Sequence, residues 1–446
     1  MTGIVTESSN HRIIESATPA PVRIAYVVYS EWRERQSGLS TYIRTLLNLF
    51  DREGFEAEIV EIPEFIPAHA ASGTPPGDAR AQHLGDGSAQ PRPPGRWEER
   101  GPGEAKHPAA PPSFAGLRLA LGYVRALLRD IRRLWMHRKE LRGGIVMTNE
   151  FGCEVLPIAL RCVVPAARIV AIGHTHPSVD ARALHPVRRA VERLCYASVS
   201  DIVFNSVSLR EQWRKKLGLR RIRGTVILHG LEELDPGIPV EYPERDDGTV
   251  DFVCVARFVA WKGHRQLLRA WKRAEERTKT PVRLILVGDG PTLEDNIAYA
   301  RELGLAVADL CEPSTVHCPP SADVVFLGRR ADGARYFNGG DVGLLLPVEP
   351  EAFGLVLLEM MSCSTPVVAS RRGGLPEVVE DGGTGILVDP TDADDVASAL
   401  CRLAEDPATR GRMGALARQR WEERFRVERM LNDYEAYFKD GKAGRP

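Results

Sequence analysis

The chain has 446 residues, enough for two domains, and its 43% hydrophobic and 27% charged residues are typical of a globular protein that folds in water. Because 59 Lys and Arg residues oppose 60 Asp and Glu residues, the net charge of -1 provides no overall field for nucleic acid, and no apolar run reaches the roughly twenty residues that span a bilayer. The eight cysteines lack the dense spacing of a disulfide framework, and the N-terminal segment lacks the basic-then-apolar order of a signal peptide, so we expect a cytoplasmic protein with reduced cysteines.

The first half of the chain alternates short β-branched runs with segments of helical periodicity. The runs are apolar on both faces, which is typical of parallel strands that are covered on both sides. Strands are predicted at 22–30, 143–150, 167–174, 200–206 and 224–230. We therefore predict a doubly wound α/β domain over residues 1–235.

Residues 63–112 interrupt this domain and are crowded with Pro, Gly and Ala. They have no usable periodicity. We expect a mobile insert there rather than a regular element.

A basic amphipathic helix is predicted after the insert, within residues 117–138. Its apolar stripe consists of Leu117, Leu121, Val124, Leu128, Ile131 and Trp135, and most of its arginines lie off the stripe. The favoured interpretation is that the stripe packs on the first sheet while the arginines face solvent. The alternative is a weak peripheral contact between residues 117–138 and an anionic membrane.

The second half repeats the α/β scheme after a Pro-rich and acidic linker at 236–249. Strands are predicted at 250–257, 282–290, 324–329, 342–348, 365–370 and 383–389. They indicate a second doubly wound domain over residues 250–420.

Two cations follow the first strand of the second domain. Arg257 closes the strand, and Lys262 opens the next helix. Ligands of an open parallel sheet bind at the carboxyl ends of its strands, so both side chains can reach one point above the sheet. An Arg fork and a mobile Lys charge suit a diphosphate, although a pair of solvated surface cations would have the same sequence.

The loop after the predicted strand 342–348 adds complementary features. Gly354 lets backbone N–H groups approach a ligand, and the positive end of the following helix faces the same space as the two cations. Glu351 would be repelled by phosphate, so we expect it to accept hydrogen bonds from hydroxyl groups beside it, and Glu359 can do the same on the opposite flank. A diphosphate with a polyhydroxyl group on each side describes a sugar nucleotide.

Together these residues resemble a known family. The stretch 351–359 matches an E-x7-E pattern with an internal Phe-Gly pair, and the stretch 257–262 matches an R-x4-K pair. The combination is similar to the retaining nucleotide-sugar glycosyltransferases of family GT4. That resemblance implies the GT-B fold, in which two Rossmann-like doubly wound parallel-sheet domains face a cleft and the C-terminal helical segment, here 421–446, packs back on the first domain.

The resemblance also implies roles for individual residues of the second domain. Glu351 would hold the hydroxyls of the donor sugar, and Glu359 would hold the ribose. Arg257 and Lys262 would stabilise the leaving diphosphate. Backbone N–H groups for sugar and phosphate would come from Phe353, Gly354 and Leu355, and the main chain at Gly328 and Arg329 would contact the base.

Two positions in the first domain also resemble the family. Gly38 corresponds to the glycine loop that approaches the phosphates, although the family's Gly-Gly pair is Ser37-Gly38 in this chain. His174 corresponds to the histidine beside the reacting carbon. The alternatives are a structural histidine at 174, or His176 as the true equivalent.

Three short motifs have simpler explanations than a functional site. Asp392 and Asp394 form a D-x-D pattern, but they follow Pro-Thr at a helix start, where we expect them to cap the helix. His174 and His176 form an H-x-H pair that lacks a third metal ligand. The stretch 208–211, "SLRE", is predicted to be a capping box. We therefore predict neither a metal nor a cofactor.

The sequence thus predicts a metal-independent, retaining enzyme. It would transfer a hexose or N-acetylhexosamine from a nucleoside diphosphate sugar, with UDP as the expected nucleotide, to a hydroxyl of a small polar or natural-product acceptor. The implied mechanism is front-face displacement without a covalent nucleophile. The alternatives are a lipid-linked acceptor at a membrane surface, a sugar-nucleotide epimerase and a non-catalytic sugar-nucleotide-binding protein. No pattern in the sequence indicates an oligomeric state.

Overall fold

The computed structural model describes most of both predicted domains. The described residues are 22–29, 55–62, 112–142, 144–148, 155–174, 176, 186–234, 248–311, 322–330 and 333–440. Gly38, most of the predicted insert at 63–112 and most of the predicted linker at 236–249 lie outside these residues.

The first domain is built on a parallel sheet of six strands. These are β1 (Val22–Tyr29), β2 (Phe55–Ile62), β3 (Ile145–Thr148), β4 (Arg168–Gly173), β5 (Asp201–Phe204) and β6 (Thr225–Val226). Their order is β2-β1-β3-β4-β5-β6, and each neighbouring pair is parallel. The accompanying helices are α1 (Pro112–Met136), α2 (Leu156–Val163), α3 (Pro186–Ser198) and α4 (Val207–Leu217).

The second domain is built on a parallel sheet of seven strands. These are β7 (Val250–Val255), β8 (Val282–Val287), β9 (Val307–Asp309), β10 (Val324–Phe326), β11 (Val342–Leu345), β12 (Val367–Ser370) and β13 (Gly385–Val388). Its order is β13-β12-β11-β7-β8-β10-β9. The chain therefore reverses its direction across the sheet between β7 and β11, and such a switch point is where doubly wound sheets bind ligands.

Helices cover both faces of the second sheet. They are α5 (His264–Arg277), α6 (Leu293–Glu302), α7 (Leu355–Ser362), α8 (Leu375–Val378), α9 (Ala393–Glu405) and α10 (Pro407–Arg424), followed by α11 (Val427–Asp440). Because both faces are covered, all four residues of β11 and all four of β12 are buried. This explains why apolar runs predicted these strands.

Two edge strands, β2 and β9, were not predicted from the sequence. β2 carries glutamates at 56, 58 and 61, so its pattern lacks the continuous apolar run of the central strands. β9 has only three residues. Both lie at the ends of their sheets, where fewer neighbours demand apolar side chains.

The favoured prediction for the amphipathic helix was wrong. Leu117, Leu121, Val124, Leu128 and Trp135 are 47–62% exposed, so most of the apolar stripe does not pack on the sheet. Of the predicted stripe, Ile131 does pack against the core, and helix α1 otherwise packs inward through Leu127 and Leu134, of which Leu134 is fully buried. A helical period identifies a stripe but not the side on which the rest of the protein lies.

The chain returns from the second domain to the first at Phe425. Helix α10 still belongs to the second domain, where Met413 is buried in its core and Arg418 donates to the Ser362 carbonyl at 2.6 Å. The backbone N–H of Leu231 then donates to the Phe425 carbonyl at 2.9 Å.

Helix α11 covers the first sheet from the other end of the chain. Its Met430, Tyr434 and Tyr437 are buried in one cluster with residues of β1 and β4, and the Tyr437 hydroxyl donates to Asp201 at 2.7 Å. The segment at 421–446 that we predicted to pack on the first domain therefore does so through α11, while its first residues, up to Arg424, complete α10.

Candidate active site

The segment after β7 is held against the segment after β11 by close backbone packing. Gly263 has φ +79° and precedes α5, and a Cβ at this position would collide with the Leu346 carbonyl oxygen. The backbone N–H of Val348 donates to the Trp261 carbonyl at 2.8 Å. Only glycine tolerates both the conformation and the approach, and the result places Lys262 beside the loop at 349–354, which we call the donor loop.

Lys262 and Glu351 form an ion pair across these two segments. Both Glu351 carboxylate oxygens lie 2.8 Å from the Lys262 Nζ, and the two side chains are 12% and 17% exposed. The Nζ also lies 4.5 Å from the centre of the Trp261 ring. The two groups that the resemblance assigned to different parts of a donor, diphosphate and sugar, thus bind each other in this structure.

Arg257 lies at the predicted position after β7, and its side chain is exposed. Within the described part of the chain its guanidinium makes no ion pair or hydrogen bond. The cation is therefore available to a ligand above the sheet.

The donor loop is shaped by glycines on both sides. Gly354 has φ +85° and is the N-cap of α7, and a Cβ there would meet the Leu375 Cδ2 at 2.6 Å. From the opposite side, Gly374 donates its backbone N–H to the Glu351 carbonyl at 2.7 Å, and a Cβ on Gly373 would collide with that carbonyl. The main chain thus fixes the direction in which the start of α7 points. Leu355, also predicted to contribute its N–H, is the first residue of this helix.

Glu359 lies eight residues beyond Glu351 in the chain and is the fifth residue of α7. Its carboxyl group is largely enclosed and has no hydrogen-bond partner within the described residues. Burial raises its pKa to about 7. An enclosed carboxyl group without a protein partner is suited to hold hydroxyl groups of a ligand.

The predicted base-contacting segment follows β10. Gly328 has φ +62°, and its carbonyl already accepts from the Gly288 N–H at 2.9 Å. Arg329 is exposed. A ligand base at this point would therefore share the Gly328 carbonyl with the Gly288 N–H.

A stack of aromatic rings connects His174 to the donor loop. His174 directly follows β4 and stacks on His229 with ring centroids 5.6 Å apart, and His229 meets the edge of Phe353 at 5.1 Å. Asn205 Nδ2 lies 3.2 Å from His229 Nε2. His174 and Phe353 were predicted from the sequence, but His229 was not. The one feature of the sequence that could have indicated a site residue there is the position of His229 just after β6.

Both stacked histidines are neutral at physiological pH. Burial, followed by the neighbouring His229, lowers the pKa of His174 well below its ordinary value. Burial alone lowers the pKa of His229 to about 3. Neither ring carries a positive charge in the cleft.

His176 occupies a different place in the cleft. Its Nδ1 lies 2.7 Å from Gln212 Oε1 on α4. Burial lowers its pKa, while the Gln212 hydrogen bond and the nearby Glu351 oppose that shift. Both histidines of the H-x-H pair therefore face the site, His174 through Phe353 and His176 beside Glu351.

The start of α4 is capped from the second domain. Ser206 is the N-cap and accepts from the Leu209 N–H at 3.1 Å, so the helix begins two residues before the predicted capping box at 208–211. Glu377 accepts from the N–H groups of Val207 and Ser208 at 2.8 and 2.7 Å. We call these contacts the α4 cap.

The α4 cap also holds the donor loop. The Ser206 hydroxyl donates to the Ala352 carbonyl at 2.7 Å. Ala352 lies between Glu351 and Phe353, so the position of α4 in the first domain is linked directly to the donor loop in the second.

Asp392 has the capping role predicted for it. It is the N-cap of α9 and accepts from the N–H groups of Asp394 and Asp395 at 2.9 and 3.2 Å. In the portion of the chain that the structure describes, no group of three or more His, Cys, Asp or Glu side chains is placed to bind a metal ion.

The architecture matches solved glycosyltransferases of the GT-B class. Superposition on Anabaena Alr3699/HepE in complex with UDP and glucose gives a TM-score of 0.60 at 16% identity and covers 94% of this chain and 100% of that one. Sucrose-phosphate synthase from Thermosynechococcus elongatus gives a TM-score of 0.63 at 20% identity, with 94% and 98% covered. These likenesses concern the fold alone, and they confirm the predicted GT-B fold.

Sequence relatives establish the family. Residues 249–406 match the family described as glycosyl transferases group 1. The GDP-mannose-dependent alpha-(1-6)-phosphatidylinositol monomannoside mannosyltransferase of Mycolicibacterium smegmatis is 33% identical over 298 residues, which are 61% of this chain and 71% of that relative. The N-acetyl-alpha-D-glucosaminyl L-malate synthase of Bacillus anthracis is 34% identical over 163 residues, 36% of this chain and 39% of that relative. The chain belongs to the glycosyl transferases group 1 family and is a glycosyltransferase.

Proposed function

We propose that this chain transfers a hexose or N-acetylhexosamine from UDP to an acceptor hydroxyl with retention of the anomeric configuration. The observation that carries the proposal is the grouping of Lys262, Glu351 and Glu359 around the start of α7, at the switch point of the second sheet. A cation beside a helix N-terminus suits a diphosphate. Carboxyl groups on either side of it suit the hydroxyls of the sugar and of the ribose.

Donor binding would rearrange the Lys262–Glu351 pair. Because both groups are mostly enclosed, their pairing keeps two charges compensated that would otherwise be costly to bury. A diphosphate offers Lys262 a new anion, and Glu351 then becomes available to accept hydrogen bonds from the sugar. The exposed guanidinium of Arg257 would supply the second cation.

The proposed reaction is a front-face displacement. The bond between the anomeric carbon and the β-phosphate oxygen breaks, and the acceptor oxygen bonds to that carbon on the same face. The acceptor proton passes to the departing phosphate oxygen. Lys262 and Arg257 stabilise the negative charge that grows on the diphosphate, so the protein contributes chiefly preorganised charge.

The neutral histidines fit this scheme. Positive charge grows on the sugar as its bond to phosphate loosens, and a cationic imidazole beside it would raise the barrier. Because the pKa values of His174 and His229 are lowered, the cleft presents neutral rings at that point.

The nucleotide and the acceptor are the finer parts of the proposal. Alr3699/HepE, which shares the fold, was solved with UDP and glucose, whereas the mannosyltransferase relative is GDP-mannose-dependent, so the choice of UDP depends on the binding test below. We propose a small polar or natural-product acceptor. A lipid-linked acceptor is the second candidate, favoured by the exposed apolar stripe of α1.

The test begins with thermal unfolding of the purified chain in the presence of UDP-, GDP-, ADP- and TDP-sugars. A ligand that binds the native state raises the unfolding temperature with occupancy, so UDP-sugars are expected to give the largest shift. The best donor is then incubated with candidate acceptors, and the anomeric configuration of the product is read by NMR in buffer containing a chelator.

Each alternative gives a different result in these assays. A larger shift with GDP-sugars would reject UDP, and an inverted product would reject retention. A product that forms without acceptor would indicate an epimerase. Binding without turnover over a broad acceptor panel, including lipid-linked ones, would indicate a non-catalytic binding protein.

A further inference from the structure

The outward face of α1 is apolar along its centre. Leu117, Leu121, Val124, Leu128 and Trp135 recur at helical spacing over about 27 Å of helix, and each is at least 47% exposed. Met136, beside Trp135, is 67% exposed. Scattered exposed leucines are ordinary on a protein surface, but a continuous stripe of five or six large apolar side chains marks an interaction surface.

Basic side chains border this stripe. Arg118, Arg125 and Arg132 are exposed at intervals of seven residues along one side of the helix, and Lys139 is exposed in the turn that follows it. The two acidic residues between 117 and 142 do not oppose them, because Asp130 is buried beside Arg129 and Glu140 is only partly exposed. We call this face, residues 117–139, the basic-apolar face.

We propose that the basic-apolar face docks on an anionic lipid bilayer, with α1 lying in the interface. A helix whose apolar stripe is flanked by arginines can insert its leucines among the acyl chains while the guanidinium groups contact lipid phosphates. Trp135 contributes an aromatic ring near one end, and the Arg138 guanidinium lies 4.9 Å from its centre. Among the described helices, none has the length and apolar character needed to cross a bilayer.

Charge argues against a second copy of the chain as the occupant. Two copies pairing through this face would bring Arg118, Arg125 and Arg132 against their own equivalents, and the face offers no exposed acid to compensate them. Like charges placed opposite one another are destabilising. An anionic lipid surface supplies the missing negative charge. The proposal stands independently of the donor and acceptor chemistry proposed above.

The experiment is co-sedimentation of the full chain with vesicles. Neutral phosphatidylcholine vesicles are compared with vesicles in which about a third of the lipid is anionic phosphatidylglycerol, because basic segments are attracted to a negative surface potential. We expect binding to the anionic vesicles, and we expect it to weaken as salt is raised.

Two variants separate the charged and apolar contributions. Arg118→Glu/Arg125→Glu/Arg132→Glu is expected to weaken binding to anionic vesicles by about a hundredfold or more, since each basic residue near such a surface contributes about a factor of five. Leu121→Ser/Leu128→Ser is expected to weaken it by at least about tenfold. Both change exposed positions, so their unfolding temperatures should match that of the unmodified chain.

The matched control changes exposed leucines elsewhere. Leu194 on α3 and Leu416 on α10 are 56% and 38% exposed, and Leu194→Ser/Leu416→Ser should bind vesicles like the unmodified chain. Equal binding to neutral and anionic vesicles would overturn the proposal, as would equal loss in the control. A concentration-dependent dimer in light scattering that Leu121→Ser/Leu128→Ser abolishes would instead make this face a self-association surface and also overturn it.

Discussion

The two sides of the cleft are held in place by different kinds of contact. In the second domain, Gly263, Gly354 and Gly373 let backbone segments meet at distances that a side chain would forbid, so the donor loop is shaped within one domain. In the first domain, α4 and His174 reach the site through Glu377, Ser206 and Phe353, that is, through contacts that cross the cleft. The donor side is therefore built in advance, whereas the opposite side depends on how the domains meet.

Lys262→Ala tests the preformed side and should have the largest effect. Removing one group that stabilises transition-state charge raises the barrier by about 2 to 4 kcal/mol, so kcat/KM should fall about thirtyfold to a thousandfold. The measurement is steady-state kinetics with the donor identified by thermal shift. Lys262→Arg, which keeps the charge, should recover part of the loss. Unchanged kcat/KM in Lys262→Ala would show that this side of the cleft does not act on the diphosphate.

Glu359→Gln sharpens the contrast between stability and function on the same side. Burial raises the pKa of Glu359 from 4.5 to about 7, so between these values the folded chain holds a proton that the unfolded chain lacks. Stability therefore falls as pH rises through this window, and the loss is complete above about pH 7. At pH 8 the neutral Gln should raise the free energy of unfolding by up to about 3 kcal/mol.

The pH dependence provides the control for Glu359→Gln. Well below pH 4.5, where the carboxyl group is neutral in both the folded and the unfolded state, the variant and the unmodified chain should unfold alike in denaturant titrations. At pH 8 the variant should be more stable but should bind the donor more weakly, because the amide is a poorer acceptor for ribose hydroxyls than a carboxylate. A variant that is no more stable at pH 8 than the unmodified chain would mean that burying the Glu359 carboxylate does not destabilise the folded state.

Glu377→Ala tests the side that depends on domain contact. It removes two hydrogen bonds from the start of α4, which should lower the free energy of unfolding by about 1 to 2 kcal/mol. Because the α4 cap also holds Ala352, we expect kcat/KM to fall about tenfold, with the scattering profile of the chain becoming more extended. Glu377→Gln, which keeps one acceptor, should lie between. Full activity in Glu377→Ala would separate the cap from the donor loop.

Asp392→Ala is the matched cap within one domain and should have the smallest effect. Like Glu377, Asp392 accepts from backbone N–H groups at a helix start, but its helix α9 belongs to the same domain. Its loss should cost about 1 kcal/mol of stability and leave kcat/KM unchanged. If the variant instead lost activity and regained it when divalent cations were added, the D-x-D pattern would be a metal site.

Much of the preformed side could be predicted from the sequence. Arg257, Lys262 and Glu351 each follow an apolar strand, and parallel strands end at one edge of a sheet, so local pattern was enough to place all three at that edge. The glycines that set the donor loop lie within a few residues of these groups. What local pattern did not show was that Lys262 and Glu351 pair with each other.

The opposite side was largely invisible to the same reasoning. Glu377 caps a helix that begins 170 residues earlier in the chain, and His229 follows a strand of only two residues. Nothing in the composition of either segment indicates its partner. Which face of α1 points to solvent could not be predicted for a related reason. The buried stripe, containing Leu127 and Leu134, is as apolar as the stripe that is exposed.

The hydrogen bond between Leu231 and Phe425 has a mechanical meaning. The chain leaves the first domain just after Leu231 and re-enters it just after Phe425. This hydrogen bond therefore joins the two interdomain segments at one point, which can act as a pivot. The Phe425 ring lies 6.1 Å from that of Phe353. A rotation of the domains about this pivot would tilt the Phe353 ring. The conformation of the donor loop would therefore depend on the distance between the two domains.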